Sequence, residues 1–236
     1  MSSTASAPRA LILAAGRGER MRPLTDATPK PLLLVRGKPL IEWHLAALAA
    51  AGVREVAINT AWLEDQFPAA LGDGSRWGLR LHYSMEGRDH GGALETAGGI
   101  AKALPLLAPQ GNEPFWVVSG DVFLPGFPFD AADAAAFAAS ALSAQLWLVP
   151  NAPHHPRGDF GISPEGLAVA DAPERHTWAS VGLFRPAMFT DIPPGTRLAL
   201  RPKLDAAIAD GRVGARLWPG PWTDVGTIER LDALNR

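Results

Sequence analysis

"LILAAGRGERMRPLTDATPKPLL", residues 11–33, sets an apolar run against a loop carrying two glycines, three arginines, three prolines and a lysine. Residues 10–14 (ALILA) are continuously apolar, as expected of a strand buried on both faces. Gly16 and Gly18 let the chain turn tightly and bring backbone N–H groups close to a ligand, as in an anion-binding nest. Arg17, Arg20, Arg22 and Lys30 add cations, while Pro23, Pro29 and Pro31 stiffen the loop, so that less entropy is lost when it clamps an anion. The spacing is neither that of a nucleotide-hydrolase loop, G-x-x-x-x-G-K-[ST], nor a full G-x-G-x-x-G, because Met21 stands at the third glycine. A dinucleotide-binding oxidoreductase would need that glycine, and an acidic residue about 20 residues on. The stretch therefore predicts phosphate held at the end of a buried strand.

Working outward, residues 40–51 repeat apolar positions at helical spacing and stop at Gly52. Residues 55–59 (EVAIN) read as a second strand, 61–71 as a helix interrupted by Pro68, and 79–84 as an alternating strand. Residues 95–104 read as a helix, 115–119 (FWVVS) as another buried strand, and 130–142 as an alanine-rich surface helix. Alternating strands and helices predict an α/β fold, a Rossmann-like, mostly parallel sheet flanked by helices. After a connector at 150–156, segments 159–162, 167–170 and 178–184 predict a small antiparallel patch. A helix at 201–210, a strand at 215–218 and a helix at 227–235 close the chain.

The chain has 236 residues, 47% of them hydrophobic, enough for a sizeable core in one domain. Its 22 basic and 24 acidic residues are nearly balanced, with no charged block to mark a nucleic-acid or membrane partner. Cysteine is absent, which excludes disulfides, thiolate metal sites and a cysteine nucleophile. Residues 1–8 are small and polar and predict a frayed terminus, and no apolar run approaches the ~20 residues of a membrane span. The expectation is a soluble, cytoplasmic protein, a monomer or weak dimer.

Ligands of parallel sheets bind beyond the carboxyl ends of the strands. Two further loops there carry unusual chemistry. Residues 87–100 (GRDHGGALETAGGI) place Glu95 and Thr96 among glycines at a helix start, a setting for a base or phosphate against backbone amides. In "VVSGDVF", residues 117–123, Asp121 ends a buried strand, a place for a hard cation that meets ligand phosphates through one or two carboxylates. Asp224 in "WTDVGT", residues 222–227, is a second such carboxylate. His154 and His155 lack the spacing of a helical metal pair and read as loop histidines.

Taken together, "LILAAGRGERMRPLTDATPKPLL", "ALETAGGI", "VVSGDV" and "DVGT" resemble the sugar-1-phosphate nucleotidyltransferases, in the family's order and over nearly the whole chain. "GERMRPLT", "GDFGI" and an end shortly after "DVGT" are most similar to the short N-acetylmuramate-1-phosphate uridylyltransferase type of peptidoglycan recycling. The resemblance implies a single domain over residues 1–236, with a nucleotide-binding half over about 9–149 and a sugar-binding half over about 150–236. It also implies that the C-terminal β-helix of longer relatives is missing. The implied reaction joins a nucleoside triphosphate, UTP, to a sugar-1-phosphate, N-acetylmuramate-1-phosphate, with Mg²⁺ as cofactor and pyrophosphate as leaving group. Matched residue by residue, it implies that Leu13, Ala14, Ala15, Gly16, Arg17 and Gly18, with Glu95, Thr96 and Gly98, hold the nucleotide. Arg20 would grip the β- and γ-phosphates, Lys30 the α-phosphate and the attacking phosphate, and Asp121 and Asp224 the Mg²⁺. Gly161 and Glu174 fall where the family contacts the sugar. Lys30, as a loop lysine, is expected to contribute little to the core.

Three departures stand out. Glu19 replaces a usual threonine, and residues 88–92 look like an insertion beside the base site. Where many relatives hold the sugar phosphate with the lysine of a Glu-Lys-Pro motif, this chain has Asp171-Ala172-Pro173, which leaves Arg197 or Arg201 as the substitute cation. A guanylyltransferase for mannose-1-phosphate is the alternative enzyme, and a catalytically inactive nucleotide-sugar sensor the alternative without catalysis.

Overall fold

The apolar run at the start forms β1 (Ala10–Leu13), and its first three residues are wholly or almost wholly buried. The computed structural model describes residues 8–236, so the reading of residues 1–7 as frayed lies outside the described residues. In chain order the main elements after β1 are α1 (Leu40–Ala50), β2 (Glu55–Thr60), α2 (Gln66–Leu71), β3 (Arg80–Met85), α3 (Glu95–Leu107) and β4 (Phe115–Ser119). They continue with α4 (Ala131–Ala139), β5 (Ala144–Val149), β6 (Thr177–Phe184), α5 (Arg201–Ala209), β7 (Val213–Leu217) and α6 (Ile228–Asn235).

Seven strands form one sheet in the order β7-β5-β6-β4-β1-β2-β3. β1 pairs parallel with both β2 and β4, which makes it an inner strand, and β6 runs antiparallel to both its neighbours. Alternate residues feed opposite faces. Ala10, Ile12, Trp116 and Val118 pack with α1 residues Ile41, Leu45 and Leu48, whereas Leu11, Phe115 and Val117 pack with Ala97, Ile100 and Leu107 of α3 and Leu204 of α5. Burial on both faces is why these strands read as unbroken apolar runs.

Three differences from the sequence reading bear on the architecture, two of them with a local reason. α2 begins only at Gln66, which puts Pro68 in the first turn, where its missing N–H costs no helical hydrogen bond. α3 continues past Pro105 to Leu107, whose burial holds the last turn in place. The segment expected in a small antiparallel patch is instead β6, an inner strand of the main sheet, and only Gly161–Ile162 and Ala168–Val169 pair as a separate hairpin. No helix of the described residues is long and apolar enough to cross a membrane.

His44 of α1 is buried, with Nε2 donating to the Val122 carbonyl at 2.9 Å. Burial lowers its pKa from the ordinary 6.5 to about 4, against the hydrogen bond and the nearby Asp121 charge. The native state therefore favours neutral His44, and stability falls as pH drops from 6.5 toward 4, by up to about 3 kcal/mol from this group. Glu86, raised by burial above its ordinary 4.5, acts in the opposite sense as pH rises above that value. The His44 contribution is thus read from the difference between the parent and His44→Gln, which keeps a donor for Val122. Urea unfolding at pH 7.0 and 5.0 should show a smaller acid loss in the variant; parallel losses would remove His44 as the cause.

Candidate active site

The parallel register aligns three strand ends: Leu13 faces Asn59 on one side and Ser119 on the other. Beyond them opens a cleft of about 370 Å³, lined by Leu13 to Gly18, Lys30, Pro31, Asn59, Ala93, Glu95, Thr96, Ser119, Asp121 and Arg197. Most of the expected nucleotide-binding residues thus surround one concave space, at the level where open α/β sheets bind ligands.

The loop after β1 divides its cations into two uses. Arg17 donates to Asp26 Oδ1 at 2.6 Å and to the Thr25 carbonyl at 2.8 Å, and stacks 3.6 Å over Trp62. Arg22 donates to the same Asp26 oxygen at 2.9 Å. These two guanidiniums brace the loop, and the hydrogen bond from Arg17 holds the Asp26 carboxyl below its ordinary range. Gly18 is left-handed, with φ 68°, and a Cβ there would lie 3.0 Å from Thr25 Cγ2, so both conformation and space call for glycine. Gly16 has open space at the Cβ position, so a side chain there would project into free volume. Met21, at the would-be third glycine, is fully buried with Phe123, Val225 and Leu231. That packing fixes the loop beside both carboxylate-bearing segments.

Lys30 is 7% exposed, and its Nζ donates to Asp121 Oδ2 at 2.8 Å; Ser119 Oγ donates to Asp121 Oδ1 at 2.8 Å. Contrary to the expectation of a loop lysine outside the core, its stem is enclosed and its ammonium set on one carboxylate. Burial pushes the Asp121 carboxyl up, but the charge and hydrogen bonds of Lys30 and Ser119 hold it below its ordinary 3.8. Asp224 arrives by β-pairing: Thr223–Asp224 runs antiparallel to Val122–Phe123, and the Val225 N–H donates to the Asp121 carbonyl at 3.0 Å. Asp224 itself accepts from Arg230 at 2.9 Å.

Asp121, in the turn before Val122–Phe123 and held ionised, and Asp224, on the short strand paired with that segment, offer the oxygen donors that suit Mg²⁺, which takes one or two carboxylates and completes its shell with water and phosphate. Among the described residues there is no group of three or more acidic or histidine side chains that would form a self-sufficient metal cage. The donor set therefore fits a cation shared with a phosphate ligand.

The opposite wall hangs on a buried relay. Asn59 Oδ1 accepts from the Ala14 N–H at 2.8 Å, Asn59 Nδ2 donates to Glu86 Oε1 at 2.7 Å, and Glu86 Oε2 accepts from the Leu94 N–H at 2.7 Å. The relay ties the start of the glycine loop to the start of α3. Glu95, the first residue of α3, is left-handed at φ 62°, a strained setting for a non-glycine residue. Its Oε1 accepts from Arg197 at 3.0 Å.

Gly98 lies outside the cleft lining and serves the wall from behind. A Cβ there would overlap the Thr196 carbonyl oxygen and come within 3.3 Å of the Leu198 N, and the N–H groups of Ala97 and Gly98 both donate to the Leu198 carbonyl. Alanine gains roughly 1 kcal/mol of helix propensity over glycine. Displacing backbone rather than a flexible side chain costs more, about 1–3 kcal/mol. Gly98→Ala should therefore lower stability on balance and weaken nucleotide binding through the segment carrying Arg197; a rise in Tm with unchanged nucleotide affinity would contradict this packing.

Of the expected sugar-side residues, Gly161 and Glu174 lie outside the lining of that cleft. Gly161 is required by packing, because a Cβ would overlap that of Ala172 and lie 3.0 Å from the Glu174 carbonyl oxygen. The Glu174 side chain is mostly exposed, 3.8 Å from His176. Arg197 lines the cleft, whereas Arg201 pairs with Asp205 at 2.7 Å and lies 4.9 Å over Phe160. Arg20 is not among the lining residues either; its guanidinium reaches Gly226, where a Cβ would lie 3.2 Å from Nη2. Trp178 and Trp222 donate to the Val181 and Ala179 carbonyls, clasping a bulge in β6 at Ser180, where φ is 59°. Asn59 and Ser119 went unnoticed in the sequence, although each is the polar last residue of an apolar strand pattern, which is the signal that marks them.

The sequence model of the nucleotidyl transferase family matches residues 9–236. An N-acetylmuramate alpha-1-phosphate uridylyltransferase from Neisseria meningitidis is 50% identical, over 94% of this chain and 95% of that protein. A protein of the same description from Caulobacter vibrioides is 36% identical, over 92% and 91%. Among solved structures, a putative glucose-1-phosphate thymidylyltransferase from Bacillus anthracis superposes with a TM-score of 0.80 at 21% identity, covering 96% of this chain and 93% of that one, a likeness of fold.

Proposed function

The chain belongs to the nucleotidyl transferase family, and from that membership we propose that it joins UTP to N-acetylmuramate-1-phosphate, releasing pyrophosphate and UDP-N-acetylmuramate. The observation that carries the transfer chemistry is the enclosed Lys30, set on Asp121 in the turn after β4 and facing the same cleft as the glycine loop. The choice of base and sugar is supported by the two relatives that share that description. The reaction would serve peptidoglycan recycling in the cytoplasm.

A phosphate monoester is largely ionised at neutral pH, so the attacking oxygen needs no general base. The obstacle is to bring two polyanions together, which makes positioning and charge stabilisation the main work. The backbone of Gly16 to Gly18 receives the triphosphate, and Arg20 draws its terminal phosphates toward Gly226. Lys30 supplies the ammonium for the α-phosphate and the incoming oxygen. Asp121 and Asp224 would hold Mg²⁺, which when bound withdraws negative charge from the phosphates and eases departure of pyrophosphate. Glu95, Thr96 and Arg197 close the wall opposite, and the Asn59–Glu86 relay keeps the two walls at a fixed spacing.

Pyrophosphate release tests this across UTP, GTP, dTTP, CTP and ATP, each against N-acetylmuramate-1-phosphate, N-acetylglucosamine-1-phosphate, glucose-1-phosphate and mannose-1-phosphate. Dominance of UTP with N-acetylmuramate-1-phosphate is expected. A dominant GTP and mannose-1-phosphate signal would overturn the substrate assignment while leaving the transfer chemistry standing.

A further inference from the structure

Two guanidiniums meet around Gly226. A Cβ built on that glycine would overlap Nη2 of Arg230 and lie 3.0 Å from Oδ1 of Asp224 and 3.2 Å from Nη2 of Arg20. Arg230 donates from Nη1 to Asp224 Oδ2 at 2.9 Å and to Nε2 of His154 at 2.6 Å. Its side chain is only 19% exposed. Two like charges this close repel, and a single carboxylate offsets only one of them. A mobile surface pair would swing apart.

Packing prevents that here. Met21, next to Arg20, and Leu231, next to Arg230, are buried in one cluster with Val225, next to Asp224. The same apolar contacts thus fix the roots of both arginines and of the carboxylate. A planar guanidinium held in place presents paired donors that match phosphoryl oxygens, and a second one beside it suits a group carrying two negative charges. A cation that engages Asp224 would free the donor that Arg230 now gives to that carboxylate.

We propose that Arg230 is a phosphate-binding residue of the transfer reaction, forming with Arg20 a two-arginine clamp for a phosphoryl group, with His154 as the positioning residue that orients the Arg230 fork. The inference rests on the nucleotidyl-transfer reading and deepens it. The clamped group is either the terminal phosphates of the triphosphate, which leave as pyrophosphate, or the phosphate of the sugar.

The test is steady-state kinetics of Arg230→Gln, Arg230→Lys and His154→Ala, with calorimetric titration of inorganic pyrophosphate plus Mg²⁺ as a readout free of turnover. Arg230→Gln is expected to raise one KM by about 10- to 100-fold, with a smaller change in kcat. Arg230→Lys, which keeps charge but not the fork, should fall between, and His154→Ala should raise the same KM a few-fold with kcat unchanged. A rise in the UTP KM with loss of pyrophosphate binding supports a clamp on the leaving group. A rise confined to the sugar-1-phosphate supports a clamp on the acceptor. If a folded Arg230→Gln protein, or failing that Arg230→Lys and His154→Ala, keeps every constant and pyrophosphate affinity within twofold of the parent, the clamp is overturned. A parent inactive with every nucleotide and sugar pair would instead overturn the function proposal, which separates the two failures.

Discussion

Lys30→Ala is expected to lower kcat by about 10³-fold, because on the proposed mechanism it removes a preorganised ammonium from the point where charge builds up during transfer. The loss should fall on kcat more than on the UTP KM, since on the proposed mechanism the glycine loop and Arg20 would still bind the triphosphate. The substitution also affects the fold. Lys30 is buried and pairs with a carboxylate whose side chain is 38% exposed. A fully buried pair would lose about 3–5 kcal/mol on losing one partner, and access of water to Asp121 reduces that to about 1–2 kcal/mol. Lys30→Arg should not restore activity, since the enclosed slot fits a narrow stem and a point charge. Steady-state kinetics beside urea unfolding separate the two effects. A near-parental kcat/KM in Lys30→Ala would remove Lys30 from the chemistry.

Asp121→Asn should cost a similar factor, about 10³ in kcat, by a different route. The amide matches the carboxylate in shape and its oxygen can still accept from Ser119, but it cannot balance Lys30 or bind a divalent cation as strongly. The expected signature is a Mg²⁺ activation curve displaced to much higher concentration, together with weakened Mn²⁺ binding measured by titration in the presence of UTP without acceptor. Because Asp121 is held below its ordinary 3.8, it stays ionised through the mildly acidic range, and a loss of activity near pH 5 or 6 has another origin. An unchanged metal titration would remove Asp121 as a ligand.

Much of the scaffold was legible in the sequence because parallel strands buried on both faces leave unbroken apolar runs: ALILA, EVAIN and FWVVS all became neighbouring strands. The antiparallel place of β6 was not, since whether a strand joins a main sheet or a side patch is decided by distant partners rather than by its own pattern. The same divide runs through the site. Loop composition singled out Gly16, Gly18, Lys30 and Asp121, and the fold brings all four to one cleft. It could not separate the arginines that brace the loop on Asp26 from the one that reaches Gly226. Nor could it show that two-residue strands bring Asp224 alongside Val122, because pairing across so long an interval leaves no periodic mark. Arg230 and His154 carried no signal beyond being one arginine and one loop histidine; their contact exists only in the folded chain.

The most direct measurement is ³¹P NMR of the purified protein with UTP, N-acetylmuramate-1-phosphate and Mg²⁺, followed over time for the parent and for Lys30→Ala. Direct transfer predicts that the triphosphate and monoester signals decline together while diphosphate-ester and pyrophosphate signals grow in equal amounts in the parent, with almost no change in the variant. Pyrophosphate without a diphosphate ester, or a parent that leaves both substrates intact, would contradict it.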